Sequence, residues 1–471
     1  MKSERQEGGN MLDKKVVYNV ITAAIDSGAD FAEIFAEDRI NTNLLFSDNK
    51  IENAVLGNDF GVGIRLIKGF NTIYAYTNDV SENNLISVAK EAARAFKSPS
   101  QKKVMNFINR DIEINNTPIK IYPADVELKK KLDILRHSHD IMLNYDEIIV
   151  QASSAYADSD QKILIANSEG LFERDRRVRT RIMQNAVASY NGDIQSGSSS
   201  PGAAMGFEFF DTIDIDDIAK EAARVAVTMA KSPYAPSGKM PVIMDNAFGG
   251  VLFHEACGHG LEAEFVSKNS SVYAGKLGEK IASDLVTAID DGTIKNQWGS
   301  SNIDDEGTPT QKNVLIENGV LKSYLVDNLN GKRMGMKSTG SARRQSYKYA
   351  PTSRMNNTFI DKGNSSFEEM VSGVDFGLYA AKLGGGSVDV VTGEFNFAVM
   401  EGYIIKNGKI DHSVKGASLV GTGLEVLKNI DMVGKDLKLA EGVCGASSGS
   451  IPAGVGQPQV RIKGLTVGGR E

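Results

Sequence analysis

The chain contains the stretch Ala89-Lys-Glu-Ala-Ala-Arg94 and repeats it as Ala219-Lys-Glu-Ala-Ala-Arg224. Each copy is soon followed by Lys-Ser-Pro, at 97–99 and at 231–233. Both copies have apolar residues at helical spacing and acidic residues near their start, where the helix dipole favours negative charge. The repeated stretch therefore predicts two related helices, one in each half of a duplicated region.

The segments before each copy also match in their order of elements. Apolar and polar residues alternate there with the period of two that is typical of strands. Each set of strands follows a predicted helix. The predicted elements are a helix near 13–27 with strands at 31–39, 42–48 and 61–76, and a helix near 124–143 with strands at 147–157, 162–167 and 178–190. The order helix, strands, helix occurs twice, which favours an internal duplication over a chance recurrence of common helix residues.

The sequence changes character after Pro233-Tyr-Ala-Pro-Ser-Gly238, where two prolines and a glycine end any helix and indicate a linker. Glycine then becomes frequent, and Asn318-Gly319 and Asn407-Gly408 each lie between strand-like runs. Asn-Gly is a strong hairpin signal because both residues accept positive φ. We therefore predict an α+β protein with an N-terminal α/β domain at 11–232, built from the duplicated units. A C-terminal, mainly antiparallel β domain at 240–471 would follow it.

Composition excludes several classes of protein. The 471 residues include 53 Lys and Arg against 60 Asp and Glu, a net charge of −7, which disfavours binding to nucleic acid. Two cysteines cannot form a disulfide framework and fit a reducing compartment. No apolar run approaches the roughly 18 residues of a membrane span, and the polar start lacks a signal-peptide core. We expect a soluble cytoplasmic protein without membrane contact, with residues 1–10 as a disordered tail.

The motif with chemical content is His254-Glu255-Ala-Cys257-Gly258-His259. Histidines at i and i+4 lie about 40° apart around a helix and can share one metal ion, whereas at i+5 they diverge by about 140°. A π-bulge, or a break at Gly258, would turn both rings to one side. We therefore predict a distorted helix between His254 and His259, since a regular α-helix would rule out a metal site there.

Two neutral imidazoles suit Zn²⁺, and Glu255 beside the first could act as the general base on zinc-bound water. The alternative is a helix with two packed or exposed histidines. The residues themselves leave the third ligand open. The candidates, by chemistry, are Cys444, Cys257, Glu262, Glu264 and His412. Cys257 is also explained by packing, Glu262 by orienting a histidine, and His412 by exposure, while His137 and His139 are predicted to lie on the surface.

The histidine motif and several further stretches, taken in their order along the chain, resemble the TldD/PmbA family of metallopeptidases, in particular its catalytic TldD-type member. The resemblance covers nearly the whole chain from Met11. The stretches that carry it are His254–Glu262, Asp304–Pro309, Tyr349–Thr358, Phe397–Gly402, Cys444-Gly445, Pro452–Pro458 and Leu465–Gly469.

The resemblance implies a two-domain subunit that dimerises around an enclosed cavity, as a homodimer or as a heterodimer with a non-catalytic PmbA-type subunit. It also implies zinc held by His254, His259 and Cys444. The family cleaves small or unfolded peptides. The sequence is thus interpreted as a zinc-dependent peptidase with Glu255 as general base, and the alternative is a non-catalytic or modulatory subunit of a peptidase complex.

Peptide capture has weaker signals. Gly384–Gly386 permits close backbone approach, and the strand at 387–391 could add a peptide as an extra strand, although a plain flexible loop is the alternative. The polar, aromatic stretch with Arg343, Arg344, Tyr347 and Tyr349 could hold a peptide carboxylate or form a surface loop. No Walker-type glycine loop is present, so the sequence gives no support for ATP dependence.

Overall fold

The computed structural model describes residues 11–96, 102–108, 110–389 and 391–470. The predicted tail at 1–10 and the first Lys-Ser-Pro, at 97–99, lie outside these ranges. Among the described residues, no helix is both long enough and apolar enough to span a membrane.

The N-terminal half contains the order helix, strands, helix two times, as the repeated stretch predicted, with three strands in the first unit and four in the second. Single 3-10 turns lie at Pro123–Asp125 and Phe207–Asp211. The elements are α1 (Lys14–Asp26), β1 (Phe31–Ser47), β2 (Lys50–Lys68), β3 (Asn71–Thr77), α2 (Glu82–Arg94), α3 (Leu128–Leu143), β4 (Ile149–Asn167), β5 (Phe172–Tyr190), β6 (Asp193–Ser199), β7 (Gly202–Ala203) and α4 (Ile215–Lys231).

These strands form one antiparallel sheet in the order β3-β2-β1-β4-β5-β6, with β7 added to β5. The two units join where β1 pairs with β4. The predicted strand bounds were wrong at the centre of the sheet, because the strands predicted at 31–39 and 42–48 are a single strand, as are those at 147–157 and 162–167. Polar residues interrupt the alternation of β1 and of β4 at the same level, where Arg39 faces Gln161 and Thr42 faces Asp158. The backbones of β1 and β4 therefore remain paired across the residues at which the apolar–polar alternation stops.

The strand predicted at 61–76 was also wrong, since it spans the turn between β2 and β3. Gly69 makes that turn with a positive φ of 59°. The helices cover the sheet through apolar faces, as in α1, where Val17, Val20 and Ile21 are buried. The Asp13 side chain accepts a hydrogen bond from the Lys15 N–H and caps that helix.

The C-terminal half is mainly strands with short helices. Its elements are β8 (Gly238–Met244), α5 (Val251–Phe253), α6 (Ala263–Val266), β9 (Ala288–Asp291), β10 (Lys312–Glu317), β11 (Val320–Leu321), α7 (Asn328–Met334), β12 (Ala342–Arg343), β13 (Thr352–Ser353), β14 (Asn357–Ile360), α8 (Phe367–Ser372), β15 (Phe376–Val388), β16 (Glu394–Lys406), β17 (Lys409–Val414), β18 (Ser418–Thr422), α9 (Gly423–Asn429), β19 (Ile430–Val433), β20 (Lys438–Ala446), β21 (Gly449–Gln457) and β22 (Val460–Gly468).

Five of these strands form a closed ring in the order β15-β8-β22-β18-β16, because β16 also pairs with β15. Strand β17 extends the ring beside β16, and β19 pairs with β22. Both predicted Asn-Gly hairpins are confirmed, with Asn318 and Gly319 joining β10 to β11, and Asn407 and Gly408 joining β16 to β17. The mainly antiparallel pairing confirms the α+β class.

A second sheet has the order β11-β10-β9-β14-β21-β20, and β20 forms one edge of it. Apolar residues of the predicted motif helix, Val251, Leu252 and Phe253, belong to the same buried cluster as Phe397 and Val399 of the ring. The motif is therefore anchored on the ring by its apolar side chains, and Cys444 reaches it from the edge strand of the other sheet.

Buried ion pairs join the two halves of the chain. Arg344 of the C-terminal half donates to Glu33 of β1 at 2.7 Å, and Arg177 of β5 donates to Asp305 at 2.6 Å. Buried charges left without partners are costly, so these pairs strongly disfavour other relative positions of the two halves.

Candidate metal centre

The segment from Val251 to Leu261 is not a regular α-helix. It begins as α5, continues as a π-helical turn at His254–Gly258, and ends in a 3-10 turn at His259–Leu261. The His259 N–H donates to the His254 carbonyl, five residues back. This turn brings the two imidazole ring centres to 5.1 Å, so the predicted distortion is confirmed.

Gly258 has a different role from the one that the sequence indicated. Its φ of −54° is ordinary for any residue, so the turn does not need a glycine for its backbone conformation. A Cβ added at this position would lie 2.3 Å from the Met355 sulfur. Glycine is therefore favoured here, because the buried Met355 packs directly against the turn and would have to move to admit a larger residue.

Three ligand-type atoms converge at this turn. The His254 Nε2 lies 3.2 Å from the Cys444 sulfur, and the His259 Nε2 lies 3.3 Å from the same sulfur. All three atoms lie within 4.8 Å of one another, and the three residues are buried. Two segments that are 185 residues apart in sequence thus present one donor set.

This donor set fits a zinc ion. With bonds of about 2.3 Å to sulfur and 2.0–2.1 Å to nitrogen, tetrahedral zinc keeps neighbouring sulfur and nitrogen ligands about 3.5 Å apart. The two observed separations are within a few tenths of an ångström of that value. Two imidazoles and one thiolate also leave a fourth position open, as in catalytic zinc sites.

Electrostatics favour the ligand form of the cysteine. Burial acts to raise the pKa of the Cys444 thiol, but the two histidines outweigh it and lower that pKa to about 3. Burial likewise acts to lower the pKa of His259, but Glu262 and Cys444 hold it well above its usual value. The protein therefore stabilises a thiolate paired with a protonated imidazole. The thiolate is the form of cysteine that zinc requires, and binding of the ion would release the His259 proton.

Glu255 lies beside this donor set without entering it. Its Oε2 is 3.7 Å from the His259 Nε2, and about a quarter of its side chain is exposed. A carboxylate in this position can exchange protons with a water held at the centre, since a proton transfer needs hydrogen-bond reach and access to solvent.

Glu262 occupies the other side of His259. Its Oε1 lies 3.1 Å from the His259 Nδ1, the ring nitrogen that does not face Cys444. A carboxylate on that nitrogen fixes the orientation and tautomer of a ligand histidine. The structure thus gives Glu262 the orienting position rather than a place among the three convergent atoms.

Arg354 has a role that the sequence did not reveal, although the arginine lies in the stretch Tyr349–Thr358 that contributes to the family resemblance. This arginine is fully buried and donates to the Cys444 carbonyl at 2.6 Å and to the Ser448 hydroxyl at 2.9 Å. Its Nε also lies 3.8 Å from Glu262. Arg354 therefore links the strand that carries Cys444 to the carboxylate that orients His259. A single arginine far from the motif has no spacing signal that could have revealed this.

The remaining ligand candidates lie elsewhere. Cys257 is buried and burial raises its pKa to about 12, which fits the packing role. Glu264 accepts a hydrogen bond from the Thr352 hydroxyl, and His412 is exposed beside Asp411, as predicted. The surface prediction for His139 was wrong, because α3 turns its ring inward against Phe46.

Most of the residues suggested for peptide capture make contacts within the protein instead. Arg344 is buried on Glu33, and the Tyr347 N–H donates to Glu37, so both join the halves of the chain. Arg343 is buried and donates to the Met355 carbonyl at 2.7 Å. Gly384–Gly386 lies within β15, which pairs with β16 and is not a free loop.

A duplicated α+β half joined to a strand-rich half that carries a buried His, His, Cys donor set is the arrangement of a metalloprotein. Family models agree with this class over most of the chain. The models described as PmbA/TldA metallopeptidase domain 1, central domain and C-terminal domain match residues 32–96, 121–230 and 237–469. The chain belongs to the PmbA/TldD family of metallopeptidases.

Named relatives agree over their full length. The chain is 37% identical to the metalloprotease TldD homolog of Buchnera aphidicola from Acyrthosiphon pisum, over 98% of this chain and 97% of that protein. It is 28% identical to the zinc metalloprotease TldD homolog of Saccharolobus solfataricus, over 96% and 100%. The crystal structure of TldE from Thermococcus kodakarensis has the same fold, with a TM-score of 0.76 at 21% identity over 96% and 99%.

Proposed function

We propose that this chain is a zinc-dependent peptidase. The observation that carries the proposal is the convergence of the His254 and His259 Nε2 atoms on the Cys444 sulfur, with the Glu255 carboxylate 3.7 Å from His259. A relative named as a zinc metalloprotease supports the choice of metal. The main alternative, a non-catalytic or modulatory subunit, gives no reason for a buried donor set with a carboxylate at its open side.

Each residue has a distinct role in the proposed reaction. His254, His259 and Cys444 hold the ion, which when bound supplies Lewis-acid activation of water and of the scissile carbonyl. Glu255 takes the proton from the attacking water and delivers it to the leaving nitrogen. Glu262 keeps the His259 ring in position, and Arg354 holds both Glu262 and the strand of Cys444.

The proposed substrates are small or unfolded peptides. His254 and Cys444 are only 2% and 4% exposed, while Glu255 is the most accessible member of the group. A centre this deep admits a narrow, extended chain more readily than the surface of a folded protein. The alternation of backbone donors and acceptors in such a chain also allows pairing with a strand, whatever the side chains are.

The proposal extends to assembly and location. The subunit acts in the cytoplasm as a homodimer, or as a heterodimer with a PmbA-type subunit, and the fold neighbour named TldE supports a related subunit in the family. We also propose that 11–232 and 240–471 are separate domains. Among the described residues, every sheet lies wholly on one side of the linker.

The direct test measures zinc content and peptide hydrolysis on the same samples of purified protein. We expect about one zinc per chain, loss of hydrolysis on treatment with a chelator, and recovery when zinc is added back. Hydrolysis that persists at full rate in metal-free protein would contradict a metallopeptidase. Full zinc loading without hydrolysis of any unfolded peptide would favour the non-catalytic alternative.

A further inference from the structure

Two buried arginines close to the proposed metal centre have no acidic partner. Arg179 of β5 and Arg343 of β12 are only 8% and 6% exposed. Neither forms an ion pair with any residue that the structure describes, whereas the neighbouring Arg177 is bound to Asp305 at 2.6 Å. A buried cation without a counter-charge is costly, so a negatively charged ligand would stabilise both arginines.

Both guanidinium groups keep nitrogens that the described chain does not use. Arg343 donates from Nη1 to the Met355 carbonyl at 2.7 Å, which leaves its Nε and Nη2. Arg179 donates from Nε and Nη2 to the carbonyls of Trp298 and Ser300, both at 2.9 Å, which leaves its Nη1. None of these three nitrogens is sealed from solvent, so they are open to an incoming anion.

Two carboxylates lie within electrostatic range of Arg343, but both have other partners. Asp305 is held by Arg177, and Asp290 accepts a hydrogen bond from the Asn356 N–H at 2.7 Å. Burial raises the pKa of Asp290 to about 6, which weakens it further as a counter-charge. An excess of positive charge therefore remains between the two arginines.

Arg343 is connected to the segment that carries the two histidines. Its Nη1 is bound to the Met355 carbonyl, and the Met355 side chain packs against Gly258 of the π-helical turn. On its own strand, Arg343 pairs with Thr352, whose hydroxyl donates to Glu264 at 2.7 Å, just beyond that turn. The arginine thus lies beside the turn without touching the ligand atoms.

Arg179 is connected to the segment that carries the third ligand. The Trp298 carbonyl accepts from Arg179, and the Trp298 indole N–H donates to the Gly442 carbonyl at 2.9 Å. Gly442 comes two residues before Cys444 on β20. The two arginines therefore reach the proposed centre from its two different segments.

We propose that Arg179 and Arg343 form a site for a carboxylate of the bound peptide. This assignment rests on the proposed peptidase function. A guanidinium group binds a carboxylate through N–H donors held in one plane, and the three unused nitrogens can serve both carboxylate oxygens. The C-terminus of a peptide and an acidic side chain both supply this group. Binding at the C-terminus would favour short peptides whatever their sequence.

Peptide binding to Glu255→Gln protein tests the site without cleavage. The probe is a short unstructured peptide with a fluorescent label at its N-terminus. It is made as the free acid, as the C-terminal amide, and as the amide with one internal aspartate, and fluorescence anisotropy gives each dissociation constant.

The free acid should bind at least about tenfold more tightly than the plain amide, as expected for charge-assisted hydrogen bonds. Tighter binding of the aspartate peptide alone would identify a side-chain carboxylate as the ligand. Equal affinity of all three peptides would overturn the proposal.

Arginine variants assign the preference to these two residues. Arg343→Met should lose most of the preference for the acid while it keeps its zinc and its affinity for the amide. Arg343→Lys, which keeps the charge but loses the planar donors, should retain part of it. Arg181→Met is the matched control, since Arg181 also lies on β5 and donates only to the carbonyls of Ser200 and Glu441. It should keep the full preference.

Thermal unfolding separates this role from a structural one. Because Arg343 has no counter-charge, Arg343→Met in the Glu255→Gln background should unfold at an unchanged or higher temperature. The free acid peptide should raise the unfolding temperature of Glu255→Gln protein but not that of the double variant. An unchanged preference in Arg343→Met, or an equal loss in Arg181→Met, would overturn the proposal.

The two proposals can fail separately. Hydrolysis by the unmodified chain that is equally fast for acid and amide peptides, with equal binding, would leave the peptidase and remove the carboxylate site. A preference that depends on Arg343, in a protein that hydrolyses no peptide, would leave the site and remove the peptidase.

Discussion

The two ring nitrogens of His259 contact different residues. Its Nε2 faces Cys444 and its Nδ1 faces Glu262, so the two residues that compete on chemistry for the third ligand position take different ring nitrogens. The histidines and Glu255 could be predicted from spacing alone. Cys444 was one of several candidates by chemistry, and only the family resemblance selected it, because nothing local connects it to a helix 185 residues earlier. Arg354 was missed for the same reason.

Replacement of the thiolate tests the ligand assignment. Cys444→Ala should weaken zinc binding by more than about 100-fold, beyond the roughly 10–100-fold typical when only a partner of a ligand is lost. Cys257→Ala is the matched control, since that cysteine is also buried, and it should bind zinc normally. Zinc content is measured after dialysis against a mild chelator. Stoichiometric zinc in Cys444→Ala would transfer the role to Glu262.

Replacement of the base tests the mechanism separately from the metal. Glu255→Gln should keep its zinc but lose at least about 100-fold in turnover, the usual scale of general acid–base catalysis. Glu264→Gln is a suitable control because its side chain is 24% exposed, against 23% for Glu255. It should hydrolyse peptides at a near-normal rate. Near-normal turnover in Glu255→Gln would remove that residue from the reaction.

At the scale of elements, the π-helical turn brings histidines at i and i+5 to the same side, which a regular α-helix cannot do. The sequence predicted a distortion from the i+5 spacing, and that geometric argument needed no knowledge of neighbours. It could not predict why residue 258 is glycine, because the Met355 side chain that fills the space comes from a segment nearly a hundred residues later. Packing between distant segments leaves no periodic signal in either one.

Because Met355 packs on this turn, the effects of substitutions at residues 258 and 355 on stability should depend on each other. Alanine favours a helix over glycine by about 1 kcal/mol, but overpacking a tight core costs about 1–3 kcal/mol. Gly258→Ala should therefore be destabilised overall, because its Cβ would lie 2.3 Å from the Met355 sulfur.

Urea unfolding of the single and double variants measures that coupling. Met355→Ala should recover part of the loss when it is combined with Gly258→Ala, since it removes the clash. Gly385→Ala, where an added Cβ meets nothing within 4 Å, is the control and should unfold as the unmodified chain does. Strictly additive effects at residues 258 and 355 would show that the two side chains do not compete for space.

At the scale of the whole molecule, the sequence predicted the duplication, the two Asn-Gly hairpins and the α+β class. It missed the closed ring, because the ring depends on parallel pairing of β15 with β8, where Leu378 faces Val242. It also offered peptide capture or a surface loop for Arg344 and Tyr347, whereas both residues join the two halves. Contacts between segments so far apart depend on the whole fold and have no local pattern.

The burial of the proposed centre predicts which substrates are cleaved. Short or unfolded peptides should be hydrolysed, while a stable globular protein of similar sequence should be spared, because only an extended chain can reach residues as buried as His254. Cleavage of one protein is followed before and after irreversible unfolding, with the unfolded form as the positive control. Efficient cleavage of the folded form, with no detectable unfolding, would mean that the surface of a folded protein can reach the metal centre.

The pairing of β1 with β4 has a consequence for the origin of the chain. The two strands are equivalents in a duplicated unit, and they pair antiparallel with Ile40 opposite Asp160 near the middle. A shorter ancestral chain with one unit would have exposed the edge of β1 and could have covered it with an identical molecule in this same arrangement. Gene fusion would then have turned a contact between two molecules into a contact within one. Once fused, the two copies were free to diverge, and among the described residues the strand β7 that pairs with β5 has no counterpart on β2.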